Sequence, residues 1–416
     1  MTPLARPAGL GAILAVVACV VVVALLGDPR LTGPAAVLDR DGDGRLEPEE
    51  TTPLLRRAFA EVDRDSSGAL DAAELRRWTL RQWLTGASRP VPVPERPSVL
   101  DAAHLEAWLE APVRARRLHG VGLVLLRGGD VIFRHSAGAF DADAPVPVEG
   151  ASEWLTAATF ACLDARGTLD LGTPLRRWLP QLDGAWGEAT LADLLSHSAG
   201  APPMAPPVFA PGTSLATAGR ALTAAYPRGS RRFQLAPAAL QIAGWAAEEA
   251  AGLPWRRLFL ECLSWPLSLD SAAWGDAVGG SGRAGYVDLA TGLHISLDDY
   301  ARFLAMLQQA GRFHGVANLP PDAVRELERV RTLGLPRDRA LGLEYALGAW
   351  CEAHDGEDCQ RLSRSGRFGA LPWLDRTTGL AGVLLTVDSL ERVQAWGEAT
   401  RQLATDIFAR AERRDR

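Results

Sequence analysis

The 416-residue chain contains no lysine, so all 44 of its basic positions are arginine. An arginine guanidinium stays protonated near neutral pH, which excludes any mechanism that needs an amine as general base. Tyrosine is nearly as scarce, with four residues at 226, 286, 300 and 345. There is no G-x-S-x-G nucleophile elbow. Basic runs are absent as well, and a formal charge of −6 is mild, so nothing points to a nucleic-acid partner. The missing lysine, beside abundant Ala, Arg, Leu and Gly, reads as a compositional bias rather than a binding signal.

What is present divides the chain into four parts. After Arg6, the stretch Gly9 to Leu26 carries no charge until Asp28. As a helix it would be roughly 27 Å long, enough for a hydrocarbon core. We read residues 1–27 as a signal anchor, a transmembrane helix whose membrane contact leaves the bulk of the chain extracytoplasmic (periplasmic or cell surface). A cleavable signal peptide is the rival, but no A-x-A site follows. Val16-Val17-Ala18-Cys19 weakly resembles a lipoprotein box, although the apolar run continues past it.

Residues 28–85 carry two acidic loops in tandem. Asp39, Asp41, Asp43, the Arg45 carbonyl, Glu47 and Glu50 occupy the ligand positions of a twelve-residue EF-hand loop, with Gly44 at the sharp turn. Asp63, Asp65, Ser67, the Ala69 carbonyl, Asp71 and Glu74 repeat the pattern around Gly68. Hard oxygen donors at this spacing suit Ca2+, and two complete loops in tandem argue against a merely solvated acidic stretch. Leu46 and Leu70, both at position 8, should pair across the loops. The short spacing leaves room for one helix, Thr51 to Val62, between them. Residues 86–100 (GASRPVPVPERPS followed by Val99 and Leu100) are a Pro-rich, extended spacer.

From Asp101 onward the pattern is mixed. Asp101 to His119 reads as a helix; Val121 to Leu126 and Val131 to His135, joined through Gly128-Gly129-Asp130, read as a hairpin. Val148 to Pro180 reads as a loop and a buried helix, with Ala151, Leu155, Ala158 and Cys162 at helical spacing and Gly167 as the stop. Leu362 to Val387 reads as two or three antiparallel strands, and Ser389 to Arg413 as a closing amphipathic helix. Cys351 and Cys359 bracket a polar loop and suggest a disulfide in an exported protein, whereas Cys162 and Cys262, in apolar runs, read as buried free thiols.

The Val148–Pro180 stretch resembles the serine β-lactamase and penicillin-binding-protein family, class C-like, through Gly167, Leu169, Leu171 and Pro174. Counting back from that tail, Gly150 stands where the family has its serine nucleophile and Glu153 where it has the lysine. Leu194 to Gly200 (LLSHSAG) looks like the family's L-L-T-H-T-S-G segment, in which the histidine, here His197, is structural. Pro227 to Gly252 keeps the frame of the second motif, but Leu235 replaces its tyrosine and Pro237 its asparagine. In the third motif, Arg364-Ser365-Gly366 stands for K-T-G or H-x-G.

The resemblance implies an α+β fold, an antiparallel sheet flanked by helices with a helical domain, spanning 101–416. The small all-α EF-hand pair and the transmembrane helix precede it. It also implies a scaffold without its chemistry, since no catalytic residue survives at the degenerate positions Gly150, Glu153, Leu235 and Arg364. A calcium-binding, membrane-anchored protein with an inactive domain is the first expectation, with a peptide, cell-wall fragment or protein as partner in the old cleft. The alternative is an active, divergent serine hydrolase (esterase, peptidase or β-lactamase-like) drawing on Ser152, Ser363, Ser365, Glu153 and His197. A third reading makes calcium-dependent association the whole function. The resemblance also implies that the start of the Val148–Pro180 helix, Leu235 and Arg364 converge on one cleft, where Glu153 and Arg364 should lie within salt-bridge or single-water distance; otherwise Trp154 or Leu235 fills the cleft.

Overall fold

The computed structural model describes residues 43–51, 59–75, 77–78, 90–202, 213–275, 287–337 and 342–414. The expected membrane helix, together with Asp39 and Asp41, lies outside them. Among the described residues no helix is long and apolar enough to cross a membrane. The chain forms two compact units, 1–89 and 90–416.

In the smaller unit, Leu46 and Leu70 form the expected bridge. The Leu46 N–H donates to the Leu70 carbonyl at 3.0 Å and the Leu70 N–H to the Leu46 carbonyl at 2.8 Å. Both side chains are fully buried, in a small core with Val62, Ala72 and Leu75. Gly44 and Gly68 each hold φ +85°, a left-handed conformation that costs an L side chain and that the loop turn requires. Of the expected inter-loop helix, Phe59–Val62 is described.

The larger unit begins with part of the Pro-rich stretch. The Val91 N–H donates to the Arg392 carbonyl at 2.7 Å, and its side chain is buried against this unit. Helix α1 (Ala102–Arg114) is capped by Asp101, whose side chain accepts from the His104 N–H. Strands β1 (Gly120–Arg127) and β2 (Asp130–Gly138) form the expected hairpin. Next come α2 (Ser152–Ala165), α3 (Leu240–Ala251) and α4 (Leu297–Gln308). Strands β3 (Glu344–Tyr345), β4 (Trp350–Asp355), β5 (Asp358–Ser363), β6 (Ala370–Asp375) and β7 (Leu380–Leu385) follow, then α5 (Leu390–Arg414).

The strands join one antiparallel seven-stranded sheet in the order β2-β1-β7-β6-β5-β4-β3. Alternation along β1 divides its residues between two cores. Leu123 and Leu125 pack with α1 and α5, while Val124 and Leu126 join the core that contains α2 and α4. The sheet is therefore covered on both faces, which is why β1 and β7 are apolar almost throughout. Residues 152 to 163 of α2 are all buried, so this helix is enclosed on every side.

The cysteine expectations are half right. Cys351 and Cys359 are bonded, with Cα atoms 5.7 Å apart. Cys162 and Cys262, expected as free thiols, are bonded too, with Cα atoms 5.9 Å apart. Their apolar setting reflects where the bridge lies, between α2 and the helical turn Leu260–Ser264, deep in the main core. Chain-entropy reasoning ranks the two bridges. Closing 100 residues is worth about 4.7 kcal/mol and closing 8 roughly 2.5 kcal/mol. Cys162→Ala should therefore lower the urea midpoint more than Cys351→Ala, and equal shifts would contradict this ranking.

Candidate functional site

The first turn of α2 carries Glu153, a carboxylate only 1% exposed in the core of the larger unit. A buried charge is expensive unless it is paired and hydrogen-bonded. Here Oε2 carries the hydrogen bonds, while Oε1 is met by the guanidinium as an ion-pair contact without an aligned hydrogen bond. The Arg364 Nη2 stands 2.8 Å from Glu153 Oε1, and Arg364 Nε donates to Oε2 at 3.2 Å. The same Oε2 is 2.9 Å from His197 Nε2 and accepts from the Tyr345 hydroxyl at 2.8 Å. The Ala236 N–H donates to His197 Nδ1 at 3.4 Å, which leaves Nε2 to carry the proton facing the carboxylate.

The electrostatics follow. Burial alone would push the Glu153 carboxyl up, but the Arg364 guanidinium, then His197, outweigh it and hold its pKa at about 2. Burial pulls the Arg364 guanidinium down, but the Glu153 carboxylate overrides it and raises the pKa. Burial pushes the Tyr345 phenol well above its ordinary range. Glu153 and Arg364 thus form a fixed buried ion pair, with the His197 ring and the Tyr345 hydroxyl on the same carboxylate oxygen. The expected pairing of Glu153 with Arg364 is present, and Leu235, the alternative filler, is 36% exposed.

Tyr345 escaped the sequence reading because E-Y-A-L-G matches none of the motifs. A signal exists three residues on. Gly348 has φ +71°, and a Cβ there would lie 2.3 Å from the Glu153 carbonyl, so the chain after Tyr345 runs hard against α2. His197 was expected to be structural; it takes up a φ of +53° and shares the Glu153 carboxylate.

The nucleophile position is closed as well as empty. A Cβ on Gly150 would stand 2.9 Å from the Ser365 carbonyl oxygen and 3.4 Å from Arg364 Nη1. A Cβ on Gly366 would meet the Val148 carbonyl oxygen at 1.9 Å. Both glycines therefore serve the close approach of residues 148–150 to residues 364–366. The carboxylate of Glu149 fills the gap between them, its Oε2 accepting from the Gly150 N–H at 2.5 Å and the Arg367 N–H at 2.9 Å.

The serines offered as replacements are engaged elsewhere. The Ser152 hydroxyl oxygen accepts from the Leu293 N–H at 3.2 Å in the core, and Ser363 donates to Glu352 at 2.5 Å. Ser365, whose carbonyl oxygen faces Gly150, also lines with Ser363 and Glu352 a groove of about 240 Å³ beside Trp350, Trp373 and Arg401.

In the smaller unit the second acidic loop has the donor set of a cation site. Oxygens of Asp63, Asp65 and Glu74 lie within 4.8 Å of one another. Backbone donors brace these carboxylates. Ser67 and Gly68 N–H groups bond Asp63, and Arg64 and Asp71 N–H groups bond Glu74. The Ser67 hydroxyl donates to the Ala69 carbonyl oxygen, and the Ser67 N–H donates to Asp65 as well. In the first loop, Asp43 accepts from the Arg45 N–H and Glu50 from the Glu47 N–H. A hydrogen bond to Glu50 raises the Glu47 carboxyl to about 7, as in a crowded pair of acids that a divalent cation would suit. Hard oxygen ligands of this kind fit Ca2+, which here would neutralise the acidic loops.

Comparison with known proteins agrees with both halves. A family model described as Beta-lactamase matches residues 105–404, and one described as EF hand matches residues 55–78. The esterase EstB of Burkholderia gladioli is 33% identical over 118 residues, covering 24% of this chain and 30% of the esterase's length. A solved structure assigned as a beta-lactamase of Bacteroides dorei DSM 17855 superposes with a TM-score of 0.62 at 28% identity, covering 70% of this chain and 91% of that one. A class C beta-lactamase of Rhodobacter sphaeroides shares the fold at 19% identity, with a TM-score of 0.56 and coverage of 74% and 99%.

Breaking a buried pair by removing one partner costs about 3–5 kcal/mol. Arg364→Leu should fall in that range by urea unfolding, and Glu153→Leu/Arg364→Leu should cost less than the two single variants summed. The acid limb gives a second readout. A carboxyl held at about 2 against an ordinary 4.5 stabilises the fold above pH 4.5, and that contribution drains away as pH falls through 2. The double variant should show a shallower loss across this window; an unchanged limb would mean that Glu153 is not the group responsible.

Proposed function

Because the chain belongs to the beta-lactamase family over residues 105–404, we propose that it is a calcium-binding relative whose large domain binds rather than hydrolyses. The observation that carries this reading is the state of Glu153. At the family's lysine position sits a carboxylate locked by Arg364, His197 and Tyr345, three residues from a Gly150 that offers no hydroxyl. Acyl transfer needs a nucleophile beside a group able to take its proton, and Gly150 supplies no hydroxyl at the family's nucleophile position. The chain is exported and held at the membrane through Gly9 to Leu26, with a peptide or cell-wall fragment as the ligand of the old cleft. Calcium occupies the tandem loops.

The partial likeness to an esterase favours one competing reading, a divergent hydrolase with a relocated nucleophile. A fluorophosphonate or penicillin label separates the two: the binding reading expects no covalent adduct, and stoichiometric acylation of any serine would end it. Gly150→Ser should not restore ester hydrolysis, because the new Cβ would stand 2.9 Å from the Ser365 carbonyl oxygen.

Calcium binding has its own readout. A ligand at one hundred times its Kd stabilises the folded form by about 2.7 kcal/mol, so millimolar Ca2+ should raise the smaller unit's melting temperature over EDTA. Glu74→Gln should remove most of that rise. Equal melting in EDTA and calcium would count against the loops as a metal site.

A further inference from the structure

Alternation along the segment that carries Arg364 gives the larger unit a second concave surface. Arg364 turns to Glu153, whereas its neighbours Ser363 and Ser365 line the groove of about 240 Å³ that α5 also borders. The α5 wall is one helix face, made by Gln394, Gly397, Glu398 and Arg401. An interior helix glycine is costly, yet at Gly397 a Cβ would lie 2.3 Å from Leu371 Cδ1, so its absence lets α5 approach β6. Trp350 and Trp373 supply apolar surface to the groove. Trp350 also packs edge-on against Tyr345, with ring centroids 4.9 Å apart.

The polar groups of the groove fix what it can hold. Glu352 Oε1 accepts from the Ser363 hydroxyl at 2.5 Å and from Arg401 Nη1 at 2.9 Å. Its Oε2 is met by Arg361 Nε at 3.2 Å without an aligned hydrogen bond, so that oxygen can still accept. Arg401 gives Nη1 to Glu352, and its guanidinium has no other protein partner among the described residues. A side-chain exposure of 25% leaves its remaining N–H groups open to donate. An anionic ligand would meet Glu352 and Glu398, and a cationic one Arg401 and Arg361. An uncharged group that both donates and accepts suits Oε2 and Arg401 together. A cavity of about 150 Å³ admits benzene, so the groove has room for one ring with a polar substituent. We propose that this groove binds an uncharged aromatic amide, its ring against Trp350 and Trp373 and its amide between Glu352 and Arg401. The side chains of this site are not those of Gly150, Glu153 and Leu235, so it stands whatever the old cleft binds.

The test uses the full-length protein at neutral pH and constant ionic strength, with benzamide as probe and benzoate and benzylamine as its charged analogues. Benzamide should give saturable shifts of the Ser363, Ser365 and Gly397 amide resonances. Benzoate and benzylamine should each bind about tenfold more weakly, because each brings a like-charge contact. Arg401→Met keeps the apolar stem and removes the donors, and should weaken benzamide about tenfold. Glu398 is an exposed helix position, so Glu398→Gln should fold and should strengthen benzoate relative to benzylamine. If Arg401→Met does not fold, the three-probe comparison in wild type and Glu398→Gln decides. Absence of a saturable benzamide shift, shifts confined to Gly150 and Arg367, or equal binding of the three probes overturns the proposal. Unchanged benzamide affinity in a folded Arg401→Met does so too.

Discussion

The larger unit depends on how one buried carboxylate is neutralised. Glu153 enters the core on a helix enclosed on all sides, and an unpaired charge there would cost several kcal/mol. Arg364 meets it from the segment after β5, Tyr345 from β3 and His197 from the turn after Leu191–Leu195. One side chain thus ties the helical layer to the strands at the far edge of the sheet. Such a network is stabilising only while every member is present, which makes it a specifier of geometry as much as a source of stability. It also occupies the space in which a reactive amine and hydroxyl would have to stand.

Close packing reinforces that arrangement. Gly348, Gly150 and Gly366 each lie where a Cβ would collide with backbone, so residues 148–150, 345–348 and 364–366 lock together around Glu153. Glu149 then closes the remaining gap with its own carboxylate. A fold that elsewhere presents a nucleophile at this point here presents interlocked backbone and a resident anion. The charge pair and the backbone contacts involve neighbouring atoms of the same short segments, so a change in one bears on the other.

The smaller unit is organised by a different constraint. With Leu46, Val62, Leu70, Ala72 and Leu75 as its described buried apolar residues, it has little core to draw on. Its carboxylates repel one another unless braced by backbone N–H groups or a cation. The Leu46–Leu70 bridge holds the paired loops together, and the Glu47 N–H braces the Glu50 carboxylate.

Much of this could be read from residue order alone, where the governing physics is local. The hairpin at Gly128-Gly129, the strands between 370 and 385, the closing helix, the two loop glycines and the Leu46–Leu70 pairing all follow from short-range pattern. The meeting of Glu153 with Arg364 was legible only through the family resemblance, which places the two motifs in one cleft. Three features were decided only in three dimensions. Tyr345 joined the site from a segment with no motif, because a buried carboxylate recruits whichever donor packing brings near. Cys162 and Cys262 bonded across 100 residues, because apolar surroundings reveal burial but not which thiol lies opposite. Glu149 took the two amides, because convergence of N–H groups is a property of backbone position that no side-chain pattern encodes.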